Sequence, residues 1–182
     1  MRENLKFAFK TTGLTMLACG SATILTFIQL MIVGEDNSNF LILNPILGGY
    51  LHLSVPHFAS NMFLLFLALC SDINQKYTPK KIFYITLIIE LIYLPFELLE
   101  ISQIAIGISG TCYFLISRFF FSWREKAWLG ASIAVVLALI EFSGFFSAPG
   151  DAAHGVHLLG ILLGFLSLPR ESRSSTPKLL PQ

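Results

Sequence analysis

Ser109 lies within Gly107-Ile108-Ser109-Gly110, and His157 opens the run His157-Leu158-Leu159-Gly160-Ile161-Leu162-Leu163-Gly164. A serine hydroxyl is a weak nucleophile that needs an adjacent base, and a neutral imidazole can serve as one. Both residues fall in segments apolar enough to cross a bilayer. A polar group at that depth is costly unless satisfied, so it counts as a functional-site hypothesis with a named partner. Here the two residues are each other's partners, and the chemistry is hydrolysis through an activated serine. His57 and Asn61 form a further i, i+4 pair on one helix face.

The elements that must carry these residues are read from composition. Of the 182 residues, 54% are hydrophobic and 13% charged, about half the charged share of an ordinary soluble domain. The expected class is an all-α polytopic membrane protein. About 20 apolar residues span the hydrocarbon as a helix, and the chain offers six such segments: Thr12 to Val33, His57 to Ile73, Lys81 to Leu98, Ile104 to Phe121, Lys126 to Phe146 and Ala152 to Leu168. The expected domain is residues 12–168, between a basic cytoplasmic leader (1–11) and a disordered cytoplasmic tail (169–182) rich in Ser, Pro and charge.

Charge orients the spans. All twelve basic residues fall in four groups, Arg2/Lys6/Lys10, Lys76/Lys80/Lys81, Arg118/Arg124/Lys126 and Arg170/Arg173/Lys178, on alternate connections of a six-span chain. The positive-inside rule then puts both termini in the cytoplasm. The opposite side receives Glu35, Asp36, Glu97, Glu100 and Asp151 and no basic residue. The expected location is a bacterial inner membrane, with the site opening to the non-cytoplasmic side. The net charge of +1 implies no nucleic-acid partner.

Two segments depart from plain spanning helices. Residues 101–108 are apolar, β-branched and interrupted by Gly107, and read as a loop dipping into the protein. The fourth helix then starts near Ser109, where unpaired N–H groups and the positive dipole end can stabilise an oxyanion. The outer loop, Gly34 to Pro56, carries Pro45, Gly48, Gly49 and His52 among large apolar residues. Counted from the outer boundary, Ser109 and His157 each lie about six residues in, roughly 9 Å if helical. His57 and Asn61 share that outer third. Gly160-x-x-x-Gly164, with Gly107 and Gly110 flanking the serine, lets spans four and six approach closely.

Other features are plainer. The basic start and Met16-Leu17-Ala18-Cys19 resemble a lipoprotein signal, but the apolar run continues to Val33, so the segment reads as an uncleaved span. Cys19, Cys70 and Cys112 lie in separate spans with no Cys-x-x-Cys, as apolar packers rather than a disulfide or metal framework. Glu90 and Glu141 sit inside spans three and five, where a charge costs about 2.5–3.5 kcal/mol on insertion scales. Each is expected to be protonated or paired structurally, and neither completes a proton relay. His154, one turn before His157, is the rival base. Asp151 sits on another face from His157. Asn61 also reads as an interhelical hydrogen-bonder, and His52 as a loop-structuring residue.

The ordered set His57-x-x-x-Asn61, Gly107-x-Ser109-Gly110 and His157-x-x-Gly160-x-x-x-Gly164, over about Leu51 to Leu168, resembles the rhomboid intramembrane serine proteases. The resemblance implies a six-helix bundle with Ser109 as nucleophile and His157 as general base, a dyad without an acid. His57, Asn61 and Gly110 are implied at the oxyanion site, and Gly107, Gly160 and Gly164 in helix packing. It also implies transmembrane protein substrates cut in or near the bilayer, with no cofactor or metal. His52 resembles a recurrent position in the first loop of the family. The Trp-Arg pair that many rhomboids carry there is replaced by Ile46-Leu47-Gly48-Gly49-Tyr50. The compact length and the His52-to-Asn61 spacing also resemble the rhombosortase branch, which processes proteins with C-terminal sorting tails.

Two other classes stay open. One is a catalytically inactive rhomboid-like chaperone. The other is a small metal or proton carrier built on His52 with His57 and His154 with His157, against which no Asp or Glu stands at ligand spacing.

Overall fold

A computed structural model describes residues 2–33, 50, 54–99, 107–122, 127–147 and 152–168, without the side chains of 26–33, 72, 97–98, 127, 145–146 and 152–153. Among these residues six α-helices run in order: α1 (Arg2–Val33), α2 (Val55–Leu69), α3 (Pro79–Leu98), α4 (Ser109–Phe121), α5 (Ala127–Ser147) and α6 (Ala152–Leu166), with one 3-10 turn, Asp72–Asn74, after α2. The fold is all-helical, as expected. His52, Asp151, the residues 101–106, the basic tail residues and nearly all of the outer loop lie outside the described residues.

Local chemistry sets the ends. Ser54, extended at φ −152° and ψ 156°, caps α2 by accepting the His57 N–H on its hydroxyl at 3.3 Å, and Pro56 sits in the first turn, where its missing N–H costs nothing. That cap fixes the helical phase of His57 and Asn61. α2 ends at Leu69, short of the expected Ile73, because Asn74 folds back. Its side-chain amide donates to the carbonyls of Ala68 and Leu115, both at 2.9 Å, and so ties α2 to α4. α1 begins at Arg2, so the basic leader runs into the first helix without a break.

α4 is the hub. Ser109, Gly110, Thr111, Cys112, Phe114, Leu115, Ser117 and Arg118 are all buried on it, and it meets α6 most extensively while also touching α2, α3 and α5. Polar bonds stitch this centre together. The Thr86 and Thr111 hydroxyls lie 2.8 Å apart between α3 and α4, and the Cys112 thiol donates to the Asn61 carbonyl at 3.3 Å between α4 and α2. Arg118, grouped by sequence with the cytoplasmic-side basic residues, is fully buried. Its guanidinium lies over the rings of Tyr77 and Phe114, and its Nη1 donates to the Ser167 carbonyl at 2.6 Å just beyond α6. The aromatic faces take up the planar cation, so the charge is held inside the protein.

α2, α4 and α6 are shorter than the expected spans, whereas α1 and α3 are longer. At 13 residues α4 rises only about 20 Å, against the roughly 30 Å of a hydrocarbon core. Over their described residues, no helix is long and apolar enough to cross a membrane. The outer surface is nonetheless apolar. Phe9, Leu17, Trp128, Leu139 and Ile140 are each more than half exposed on α1 and α5.

The α4–α6 seam depends on missing side chains. A Cβ on Gly160 would overlap the Gly110 carbonyl oxygen, one on Gly164 would overlap the Ser117 hydroxyl, and one on Gly110 would come within 2.5 Å of Val156 Cγ1. The clash at Gly160 is with backbone, which cannot rotate away. Gly160→Ala is therefore expected to destabilise the protein by about 1–3 kcal/mol, seen as a drop of several degrees in its unfolding midpoint in detergent. Gly13→Ala, where a Cβ meets nothing within 4 Å, is expected to leave the midpoint unchanged or raise it.

Candidate active site

Ser109 is the first residue of α4 and is nearly buried, at 9% exposed. The first bond of the helix ladder runs from the Cys112 N–H to the Ile108 carbonyl, and no side chain caps the start. The N–H groups of Ser109, Gly110 and Thr111 therefore stand outside the ladder at the positive end of the helix. Because the serine opens the helix, helical rise does not measure its depth. The 9 Å arithmetic applies only to His157, which lies inside α6.

Gly107 makes the turn into the helix. Its φ of +108° is costly for a residue with a Cβ, and a Cβ there would lie 2.9 Å from His57 Cε1, 3.0 Å from His57 Nε2 and 3.2 Å from Asn61 Nδ2. The polar tips of the α2 pair thus lie directly over the backbone that leads into Ser109. These contacts gather His57, Asn61, Gly107 and the start of α4 at one place.

His157 reaches the same region from α6. Its ring stacks on Tyr113, with centroids 4.1 Å apart and planes 10° off parallel. Tyr113 follows Ser109 by four residues, one turn along α4, so hydroxyl and imidazole lie along one helix face. Among the described residues neither ring nitrogen of His157 makes a hydrogen bond, and none joins it to Ser109. Both nitrogens are shielded from solvent.

Glu141 is the residue that sequence reasoning missed as part of this site. Expected as an isolated paired or protonated structural group, it sits on α5 at 5% exposure in the middle of the cluster. Tyr113 donates its phenol to Oε1 at 2.6 Å, His154 Nδ1 lies 2.7 Å from Oε2, and His157 Nδ1 lies 3.0 Å from the same oxygen without the alignment of a hydrogen bond. The expectation that no acid accompanies the histidine pair is therefore corrected. It rested on spacing along one helix, and Glu141 comes from another. One signal was present in the sequence: Glu141 and Gly144 lie one turn apart on α5. Gly144 makes room for the His154 ring, since a Cβ there would come within 2.6 Å of its Nδ1.

Glu141, His154 and His157 form a two-imidazole, one-carboxylate set whose ligand atoms all lie within 4.8 Å of one another, a donor set that zinc accepts. The carboxylate already engages these groups directly. Glu90 is buried on α3. His154, the rival base, is bonded to Glu141.

Comparison with known proteins gives one match. The sequence model of the family described as Rhomboid domain matches residues 44–172, most of the 182-residue chain, and covers every residue of the cluster. No curated protein and no solved structure matches. Membership of this family, whose members are typically intramembrane serine proteases acting on transmembrane substrates, makes the chain an integral membrane protein. The exposed apolar residues of α1 and α5 suit that setting. This chain belongs to the rhomboid family.

Proposed function

We propose that the protein is an intramembrane serine endopeptidase that cuts transmembrane protein substrates in or near the bilayer, with Ser109 as nucleophile and His157 as general base. The reading rests above all on the α4–α6 seam, where Tyr113, one turn beyond Ser109, carries the His157 ring on its face. Ser109 Oγ attacks the scissile carbonyl as its proton passes to His157 Nε2. The C–N bond then breaks, and the same proton goes to the leaving amine. Water hydrolyses the acyl-enzyme by the reverse exchange. The tetrahedral oxyanion is received by the N–H groups of Ser109 and Gly110 at the start of α4 and by the side chains of His57 and Asn61 over Gly107.

The reaction needs no metal or cofactor. The helical bundle sits in the bilayer with both termini in the cytoplasm of a bacterial cell, and the start of α4 opens outward, where water can enter. A substrate helix must unwind locally to offer a carbonyl, because an intact helix keeps its carbonyls hydrogen-bonded. An inactive chaperone would have no use for a serine at an uncapped helix start one turn from the tyrosine that carries the imidazole, and this favours the protease.

The test is cleavage of a transmembrane reporter together with fluorophosphonate labelling of the purified full chain. Ser109→Ala and His157→Ala are each expected to abolish both, a loss of about 10⁴-fold or more, whereas His154→Ala keeps the label. Labelling that survives loss of Ser109, or moves with His154 rather than His157, contradicts the assignment. At the oxyanion site, Asn61→Ala is expected to lower kcat by about 10²-fold. Gly107→Ala, whose Cβ would press into His57, is expected to act in the same direction with the fold intact by circular dichroism.

A further inference from the structure

We infer that Glu141 is a positioning residue of this site: its carboxylate, reaching in from α5, fixes the tautomer and direction of the His157 ring, so that the protein works as Ser109–His157–Glu141 rather than as an acid-free pair. This rests on the protease reading above.

The first ground is cost. A glutamate in the middle of an apolar helix is penalised by about 2.5–3.5 kcal/mol on insertion scales, and such a group persists where it is fully engaged. Glu141 is engaged on both oxygens, by Tyr113 at 2.6 Å on one and by His154 at 2.7 Å on the other, which also lies 3.0 Å from His157.

The second ground is which nitrogen faces the acid. A carboxylate only accepts, so the imidazole nitrogen that settles against it is the one carrying the proton. That nitrogen is Nδ1. A proton held at Nδ1 leaves the Nε2 lone pair available, the form a base needs in order to take the Ser109 proton. When Nε2 does take it, the imidazolium has the carboxylate 3.0 Å from its far edge.

The third ground is rigidity. Tyr113 both stacks on His157 and donates to Glu141. One residue of α4 thus sets the plane of the base and the place of the acid, and α4 also carries the nucleophile. His154, lodged against Gly144, is the second donor to the acid.

The experiment compares the full-length wild type, Glu141→Gln, Glu141→Asp and Tyr113→Phe in proteoliposomes. It reads kcat and KM on a transmembrane reporter, the fluorophosphonate labelling rate at Ser109 and the unfolding midpoint. The glutamine variant can donate to Nδ1 and so favour the wrong tautomer. Its kcat and labelling rate are expected to fall by about 10²- to 10⁴-fold with KM nearly unchanged. The aspartate variant, which keeps the charge one methylene further back, is expected to recover at least about tenfold of that loss. Tyr113→Phe, which frees Oε1 and keeps the stack, is expected to give a smaller fall in kcat.

If the glutamine variant does not fold, the aspartate and phenylalanine variants decide: wild-type kcat in both overturns the proposal. It is also overturned if a folded glutamine variant labels at the wild-type rate. A wild type inhibited by micromolar zinc and relieved of it by Glu141→Gln, with kcat otherwise unchanged, makes the cluster a metal site instead and overturns the positioning role. A wild type that neither cleaves nor labels at Ser109 sinks the protease reading itself, whereas a labelled wild type with an equally labelled glutamine variant sinks only the role of Glu141.

Discussion

The structure depends on two backbones being allowed to touch. Where α6 crosses α4, Gly160 lies against the Gly110 carbonyl and Gly164 against Phe114 and Ser117. Helices in lipid gain little from burying apolar surface against each other, because the tails are equally apolar, so close packing and interhelical hydrogen bonds must hold them. Small residues permit the packing here, and its consequence is positional. With the seam set at Gly110 and Gly160, His157 has only one turn of helix between it and the contact, and its ring falls on Tyr113 rather than into lipid.

Around that seam the bundle concentrates its polarity at two ends of a short central helix. At one end stand Ser109, the uncapped N–H groups and the α2 pair over Gly107. At the other, Arg118 lies against the Tyr77 and Phe114 rings and is tied to Ser167. In between, Thr86 with Thr111 and Cys112 with the Asn61 carbonyl satisfy polar atoms across helix pairs. A helix only 13 residues long can be surrounded by its neighbours, so its start can lie inside the protein instead of at a boundary. An activated serine needs that shelter, since its oxyanion donors gain strength where bulk water is displaced.

How much of this could be read from residues alone follows from the range of each interaction. Helix type and order were legible because apolar runs and polar breaks are local. The α4–α6 contact was legible because Gly160-x-x-x-Gly164 is itself a packing pattern. Helix lengths were not, since α2 is ended by Asn74 bonding back across the fold, which no window of hydropathy registers. Arg118 was misplaced because positive charge is ordinarily found at the membrane edge, and only tertiary structure supplies the Tyr77 and Phe114 faces that bury it. Glu141 was legible as costly but not as a member of the cluster, because its partners come from α4 and α6, 13 to 28 residues away along the chain.

We propose that packing of α4 on α6 brings the Ser109 oxygen within reach of the His157 ring. The most direct measurement is an experimental structure of the full chain in a lipid nanodisc at a resolution that places both side chains. The account predicts Ser109 Oγ and His157 Nε2 within about 3.5 Å of each other or bridged by one water, with Tyr113 stacked beneath the ring. A His157 ring turned into lipid, or a side chain of another helix standing between the two, would contradict it.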